Sequence, residues 1–303
     1  VNTIRTPSRL HLSLIDMNGR LGRVDGGIGI ALEGPCFEIG FERAGSVKGD
    51  AKEITESVCS RLGVAGVEIK IKKRIPEHVG FGSRTQLSLA IAAGVCKVYG
   101  ITKNVTELAE LVKRGGTSGI GVAAFERGGF ILDGGHHSKK GFSPSRFSNA
   151  SPPPVLARYD FPWWIVCAWP EEKGAHGVAE MDIFRRYCPI PVGEVEKTSR
   201  LILMRILPAV VENDIGAFGE GVNMLQEIGF KKIEVGLKKE QIGALLGVLQ
   251  KNSAGGGMSS FGPVCFGICE TQSEAKSLES KIKGEFEVNT IVTEANNKGA
   301  RWL

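Results

Sequence analysis

Two stretches of the chain hold side chains suited to chemistry. One is Gly80-Phe81-Gly82-Ser83-Arg84-Thr85-Gln86, a turn with two glycines. Glycine has no Cβ, so such a turn lets backbone N–H groups come close to a ligand. Ser83 stands where a helix cap is expected. The free N–H groups of the first helical turn, with the helix dipole, then favour phosphate or pyrophosphate. Arg84 adds a fork of donors at the same place. The spacing is neither a Walker loop nor a dinucleotide fingerprint. Taken alone, the turn also reads as a tight strand-to-helix connection. The other stretch is Arg9-x-His11, then Asp16, then Arg23-x-Asp25. It collects two guanidinium groups, two carboxylates and an imidazole that titrates near neutral pH. Read singly, His11 is a hydrogen-bonded structural residue, and Asp25, before Gly26-Gly27, is a turn former.

The elements that must position these residues follow from periodicity. Leu10, Leu12 and Leu14 alternate with Arg9, His11 and Ser13, a strand with one buried and one polar face. Asp16-Met17-Asn18-Gly19 turns the chain, and residues 26–32 read as a second, more buried strand, with alternation again over 36–42. Ile54, Val58 and Leu62 form a helical stripe within 50–62. Val67, Ile69 and Ile71 mark the strand that enters the glycine turn, and Leu87, Ala90, Ile91, Gly94, Val95 and Val98 the helix that leaves it. Asn104 with Glu107 reads as a capped helix start, for a helix ending near Arg114. Residues 115–119 form a second glycine turn, 130–132 a short strand, and 134–154 a loop or linker with His136, His137 and Pro152-Pro153-Pro154, where a domain boundary is expected. The two histidines are expected at the surface, with a metal pair there as the alternative. Beyond it come an apolar run from Trp163 to Trp169, an irregular polar stretch over 171–190 and helices near 193–212, 214–228 and 239–251. A third glycine cluster over 253–260 precedes the strand 263–269, a helix at 273–283 and a strand at 286–293. Trp163, Trp164 and Trp169 read as core or interface rather than a ring-binding box.

Composition narrows the class. The chain has 303 residues, 42% hydrophobic and 23% charged, an ordinary globular balance with room for two medium domains. A net charge of +5 suits an anionic small molecule, and no basic stripe with interleaved aromatics argues for nucleic acid. Seven cysteines without a spacing framework imply reduced thiols in a cytoplasm. Neither a signal-peptide pattern nor an apolar run of roughly 18 residues is present, so no membrane is expected.

The glycine turn resembles the phosphate loop of the GHMP kinases, Pro-x-x-x-Gly-Leu-Gly-Ser-Ser, through Pro76 and Gly80-Phe81-Gly82-Ser83. The region of Pro7 and Arg9, the segment 116–129 and the cluster 253–257 match further motifs in the family's order. The resemblance implies an α+β two-domain fold: an N-terminal α/β domain over 1–154 and a C-terminal ferredoxin-like α+β domain over 155–303, with the site in the cleft between. Two departures bear on activity. Val122 stands where several of these kinases carry the catalytic aspartate, and valine can neither accept a proton nor bind Mg²⁺. Arg84 replaces a small hydroxyl residue that helps hold the nucleotide's metal. Phosphoryl transfer depends on positioned metal and charge. A GHMP-type kinase with a relocated base and a non-catalytic sugar-phosphate-binding protein are the competing readings.

A narrower resemblance accounts for both departures. Residues 8–16 and 22–27, the loop 80–86, the segment 114–121 and Ser259-Ser260-Phe261-Gly262-Pro263 are similar to the β-ribofuranosylaminobenzene 5′-phosphate synthases, enzymes of methanopterin biosynthesis. The family implies transfer of phosphoribosyl pyrophosphate to 4-hydroxybenzoate or 4-aminobenzoate with release of CO₂ and pyrophosphate. It also implies a homodimer and no pyridoxal phosphate or nucleotide cofactor. On that resemblance the catalytic set is His11, Asp16 and Asp25. His11 would take the phenol proton, and the two carboxylates would hold Mg²⁺ on the pyrophosphate or stabilise an oxocarbenium ion. The substrate-binding set is Arg9, Arg23, Gly80, Gly82, Ser83, Arg84, Thr85, Ser118 and Ser259.

Overall fold

The alternating leucines at 10, 12 and 14 fall in the first strand of a computed structural model, which describes residues 2–138, 150–171, 178–238 and 240–303. The first half contains β1 (Asn2–Asp16), β2 (Arg23–Arg43), β3 (Lys48–Gly49), α1 (Lys52–Leu62), β4 (Val67–Lys73), α2 (Ser83–Tyr99), α3 (Val105–Leu111), α4 (Ile120–Glu126), β5 (Phe130–Asp133) and β6 (His136–His137). Then follow β7 (Val155–Tyr159), β8 (Trp164–Trp169), α5 (Val178–Tyr187) and α6 (Val192–Leu201), which continues through a π-helical turn at Ile202–Ile206 into α7 (Leu207–Glu212). The chain closes with α8 (Ile215–Leu225), α9 (Gly229–Gly236), α10 (Glu240–Lys251), β9 (Gly255–Met258), β10 (Cys265–Cys269), α11 (Gln272–Glu285), β11 (Asn289–Glu294) and β12 (Arg301–Trp302).

Two sheets organise these elements. The first runs β12-β1-β2-β4-β3, with β5 and β6 also paired to β2 and β7 to β5. The second is antiparallel, in the order β11-β8-β10-β9. The expected α+β architecture is present. The boundary expected after residue 154 falls at the start of β7, and β7 and β12 both lie in the first sheet. Leu10, Ile30, Phe41, Leu89 and Val95 are among the buried residues that join β1 and β2 to α2. Burying these side chains, each contributing roughly 1.5–3 kcal/mol, fixes α2 against the sheet and so fixes where its N-terminus points.

Several local expectations change. The polar face of β1 is covered rather than exposed: His11 and Ser13 are buried with the leucines, and Ile120 at the start of α4 packs against Gly29, the register partner of His11. Residues 23–43 form one long strand instead of two segments. Part of the stretch read as irregular is helical, as α5, and α9 was not foreseen. Within the glycine cluster at 253–260, residues 255–258 form the strand β9. A Cβ on Gly255 would sit 2.2 Å from the carbonyl oxygen of Gly219. Glycine there lets α8 lie directly on the strand backbone. The capping box of Asn104 and Glu107 is formed, but the helix it starts stops at Leu111. All seven cysteines are free thiols, and Cys265 and Cys269 lie in the buried strand β10 as expected. Trp163 and Trp169 are buried core residues.

Candidate active site

The glycine turn leads into α2, but the cap is not Ser83. Gly82 occupies the N-cap position with left-handed backbone (φ 73°), no side chain caps the helix, and its first turn carries no acidic residue. Ser83 is the first helical residue and is buried; Arg84 follows and is exposed. The turn is held from two directions. Arg9 donates from Nη1 to the Gly80 carbonyl, and its guanidinium lies against Gly82, where a Cβ would meet Cζ at 3.0 Å. Ser259 Oγ donates to the same Gly80 carbonyl at 2.8 Å and accepts the His11 backbone N–H at 2.9 Å. Ser259 is fully buried. Its hydroxyl therefore fastens the second half of the chain to both β1 and the glycine turn.

Two cavities touch the first turn of α2 and share Lys113 and Arg114 in their walls. One, of about 430 Å³, is lined by His78, Ser83, Arg84 and Arg61 over an apolar floor that includes Phe37 and Leu87. The other, of about 260 Å³, is lined by Arg9, His11, Thr85, Gly115–Ser118, Phe184, Glu234 and Phe261 among others. Burial, with Arg84 nearby, lowers Arg114 to about 10, so it stays cationic at neutral pH. Thr85 packs against Gly121, at the start of α4.

His11 is the best-connected titratable group in the second cavity. Its Nε2 lies 3.0 Å from Ser118 Oγ, and Ser118 Oγ donates to Asp133 Oδ2 at 3.4 Å. Asp133 also accepts the N–H groups of Gly119 at 3.1 Å and Gly135 at 3.0 Å. Burial, then the charges of Arg9 and Lys231, push the His11 pKa well below its usual value, so the ring is neutral at neutral pH. Burial raises Asp133 to about 6 in spite of its two backbone donors. Asp133 was missed in the sequence because it reads as the start of a loop. The available signal was a lone acid at a strand end directly before Gly134-Gly135.

The rest of the cluster sits at the far end of the β1–β2 hairpin, where Asp16 and Asp25 are register partners. Asp16 Oδ1 accepts the N–H groups of Asn18 and Gly19, both at 2.8 Å, and shapes the turn. Asp25 is buried and 3.1 Å from His136 Nδ1. Burial raises its pKa against the pull of His136. His136 was expected at the surface. It is buried instead, because β6 pairs with Arg23 and Val24 and brings it onto Asp25; His137 is exposed. Arg23 donates to the carbonyls of Gly134 at 2.8 Å and Gly135 at 2.7 Å. Among the described residues, no three His, Cys, Asp or Glu side chains converge to hold a metal ion. Asp16 is engaged by its turn through Oδ1, and Asp25 by His136 through Oδ2.

Sequence reading also overlooked the wall contributed by the second half. Phe184 and Phe230 stack at 5.1 Å, and Phe261 meets both edge-on at 5.5 and 5.7 Å. On α9, Lys231 is fully buried, ion-paired with Glu234, and donates to the Met258 carbonyl at 3.2 Å. Val122, by contrast, is a buried core residue of α4, so no acid occupies that position.

With this geometry in hand, the comparisons with known proteins are informative. The GHMP kinases N terminal domain matches residues 50–129, and the GHMP kinases C terminal domain residues 206–288. Beta-ribofuranosylphenol 5′-phosphate synthase of Archaeoglobus fulgidus is 43% identical, covering 98% of this chain and 97% of that protein. The protein of the same name from Methanothermobacter thermautotrophicus is 44% identical, with 98% and 97% covered. The crystal structure of L. major mevalonate kinase in complex with R-mevalonate superposes with a TM-score of 0.71 over 96% of this chain and 95% of that one, at 10% identity, and so shares the fold. Identity of this extent over nearly the whole length, on that fold, places the chain in the β-ribofuranosylphenol 5′-phosphate synthase family, enzymes of the GHMP-kinase superfamily.

Proposed function

We propose that the chain catalyses a decarboxylating phosphoribosyl transfer. Phosphoribosyl pyrophosphate and 4-hydroxybenzoate (or 4-aminobenzoate) give a C-riboside, CO₂ and pyrophosphate, a step of methanopterin biosynthesis in the cytoplasm. The observation that carries this reading is the near-full-length similarity to proteins named as ribofuranosylphenol phosphate synthases, in a chain with Val122 at the kinase aspartate position.

In this reading pyrophosphate rests at the N-terminus of α2, against Gly80, Gly82, Ser83, Arg84 and Thr85, with Lys113 and Arg114 supplying further charge. Mg²⁺ enters as the counter-ion of the pyrophosphate and belongs to the substrate, not to a protein cage. As the bond from the anomeric carbon to pyrophosphate breaks, the ribose gains oxocarbenium character. The ring carbon that carries the carboxylate attacks it, and loss of CO₂ restores aromaticity. Neutral His11 takes the acceptor's hydroxyl proton, Ser118 with Asp133 steadies the imidazolium that results, and the proton returns to the phenolate oxygen once CO₂ has left. Arg9 takes the acceptor's carboxylate. Arg23, through the Nη1 not used on Gly134 and Gly135, faces the 5′-phosphate. Asp16 offsets the developing positive charge, and Asp25 with His136 holds the hairpin end in place. Ser259 acts by holding Gly80. The working unit is a homodimer, with no pyridoxal phosphate and no nucleotide.

The test is direct. The protein is incubated with phosphoribosyl pyrophosphate, Mg²⁺ and carboxyl-labelled 4-hydroxybenzoate, and released CO₂ is counted. Label release that needs both substrates is expected. Folded protein that releases none with any divalent metal would remove the reading.

A further inference from the structure

The far end of the β1–β2 hairpin holds a buried pair that no step of the reaction above touches. Asp25 has left-handed backbone (φ 66°), and Gly26 after it does too (φ 68°). That conformation is uncommon for a residue with a side chain and is held by its surroundings. Here they include His136, whose Nδ1 lies 3.1 Å from Asp25 Oδ2. Its Nε2 lies 3.1 Å from the Ser151 carbonyl oxygen, which can only accept. Nε2 therefore carries a proton, and one further proton, on either group, makes the bond to Asp25. The strands on either side of Gly134-Gly135 keep one register on β2: Gly27 stands opposite Asp133, and Val24 opposite His136. The bend at Asp25-Gly26 thus decides where Gly27 lies. Gly27 is the seat of the His11 ring, since a Cβ there would come within 3.1 Å of Nε2 and 3.3 Å of Cε1. Its register partner Asp133 reaches the same nitrogen through Ser118.

We infer that His136 is a positioning residue: held to Asp25, it fixes the bend that sets Gly27 against the His11 ring and Asp133 behind Ser118. His136 is not among the residues that line the cavity of His11, so its effect passes through these neighbours. Two tethers carry it. One runs along β2 from Asp25 to Gly27. The other runs back along the chain from His136 to Asp133, with Arg23 on the Gly134 and Gly135 carbonyls and the Gly135 N–H on Asp133 Oδ1. Neither has slack. A Cβ on Gly135 would sit 2.1 Å from the Val24 carbonyl oxygen, and one on Gly26 would sit 3.3 Å from that of Asp133. The consequence for the reaction rests on the synthase reading above; the seating of the ring does not. A ring displaced from its seat leaves binding at the N-terminus of α2 as it was and slows the proton step.

The experiment compares His136→Leu, which removes the bond to Asp25, with His136→Asn, whose amide nitrogen takes the place of Nδ1. Both full-chain variants are assayed for CO₂ release. The contact between His11 Hε1 and Gly27 Hα is followed by NMR in histidine- and glycine-labelled protein. His136→Leu should lose about ten- to a hundredfold in kcat, with the KM for phosphoribosyl pyrophosphate within about twofold, and should lose the contact. His136→Asn should hold kcat within about threefold of wild type and keep the contact. Where His136→Leu does not fold, His136→Gln stands in with the same expectation, because its amide nitrogen takes the place of Nε2 and leaves Asp25 without its partner. A kcat within about twofold of wild type in the folded variant, an equal loss in His136→Asn, or a contact unchanged by the substitution overturns the proposal; the synthase reading then stands if wild type releases CO₂. The expected change in the contact, without CO₂ from wild type, would keep the positioning and remove the synthase reading.

Discussion

Replacing Ser118 with alanine tests the link between His11 and Asp133 at the cost of one further contact, the Ile120 N–H that the same hydroxyl accepts at 3.3 Å. The hydroxyl lies 3.0 Å from His11 Nε2 and 3.4 Å from Asp133 Oδ2. Removing it leaves Asp133 with its two backbone donors, Gly119 and Gly135, so the turn that carries the residue stays closed. His11 is only 5% exposed, and the lost hydroxyl is the partner of its Nε2. A buried polar atom left without its partner costs about 1–3 kcal/mol, which is about 5- to 150-fold in rate. The cost should grow as the ring takes its proton, because the imidazolium needs the acceptor more than the neutral ring does. The loss therefore falls on kcat, with the KM for phosphoribosyl pyrophosphate within about twofold. The assay is steady-state release of labelled CO₂, with circular dichroism to establish that the variant is folded. Asp133→Asn should reproduce the kcat loss, and the double variant should lose little more than either single one, since both act through one proton acceptor. A Ser118→Ala enzyme within about twofold of wild type in kcat would refute the reasoning and return His11 to a structural role.

Three further outcomes follow from the same geometry. Arg84→Ser should weaken phosphoribosyl pyrophosphate by about ten- to a hundredfold in kcat/KM, the worth of one charge-assisted hydrogen bond, and should yield no ATP-dependent phosphorylation, because Val122 remains; a near-wild-type value would take Arg84 out of the site. The acid limb of kcat/KM against pH should fall below pH 6.5, because the active His11 is proton-free and its pKa is lowered, so activity persists as pH drops through the ordinary histidine value; a midpoint at or above 6.5 would contradict this. Gly255→Ala should lower the thermal midpoint, since the new Cβ would lie 2.2 Å from the Gly219 carbonyl oxygen and overpacking of this kind costs about 1–3 kcal/mol; an unchanged midpoint would show that α8 shifts freely.

What the sequence revealed depended on whether the determinant was local. The β1 alternation, the Asn104–Glu107 cap and the turn before α2 are set by neighbours in sequence, and each could be read. Ser83 was misplaced by one position because serine is the commoner cap, whereas this helix starts from a left-handed glycine. The Phe184–Phe230–Phe261 cluster could not be read, because its members come together only when separate segments pack, and Asp133 was passed over because its one signal, the following Gly134-Gly135, also marks a loop. The glycines at 255–257 read only as a cluster before a strand, because freedom from a Cβ serves two purposes, approach to an anion and approach to a helix. Only the packing of α8 distinguishes them. His136 looked exposed for a related reason: its partner, Asp25, is on a different strand.

The pairing of β12 with β1 sets Ile4 opposite Trp302 and Arg5 opposite Arg301. The strand that carries Arg9 and His11 thus acquires a neighbour from almost the whole chain length away. A ribosome delivers these residues in order, so β1 must wait with one edge unpaired until the second half has been made and folded. Closing so long a loop is entropically costly and slows folding, and an unpaired edge invites wrong partners in the meantime. The buried charge pair and the glycine-to-glycine contact of the second half need only residues of their own region. A polypeptide stalled short of β12 would lack the neighbour of Ile4 and Arg5, at the end of β1 away from the Arg9–His11 segment.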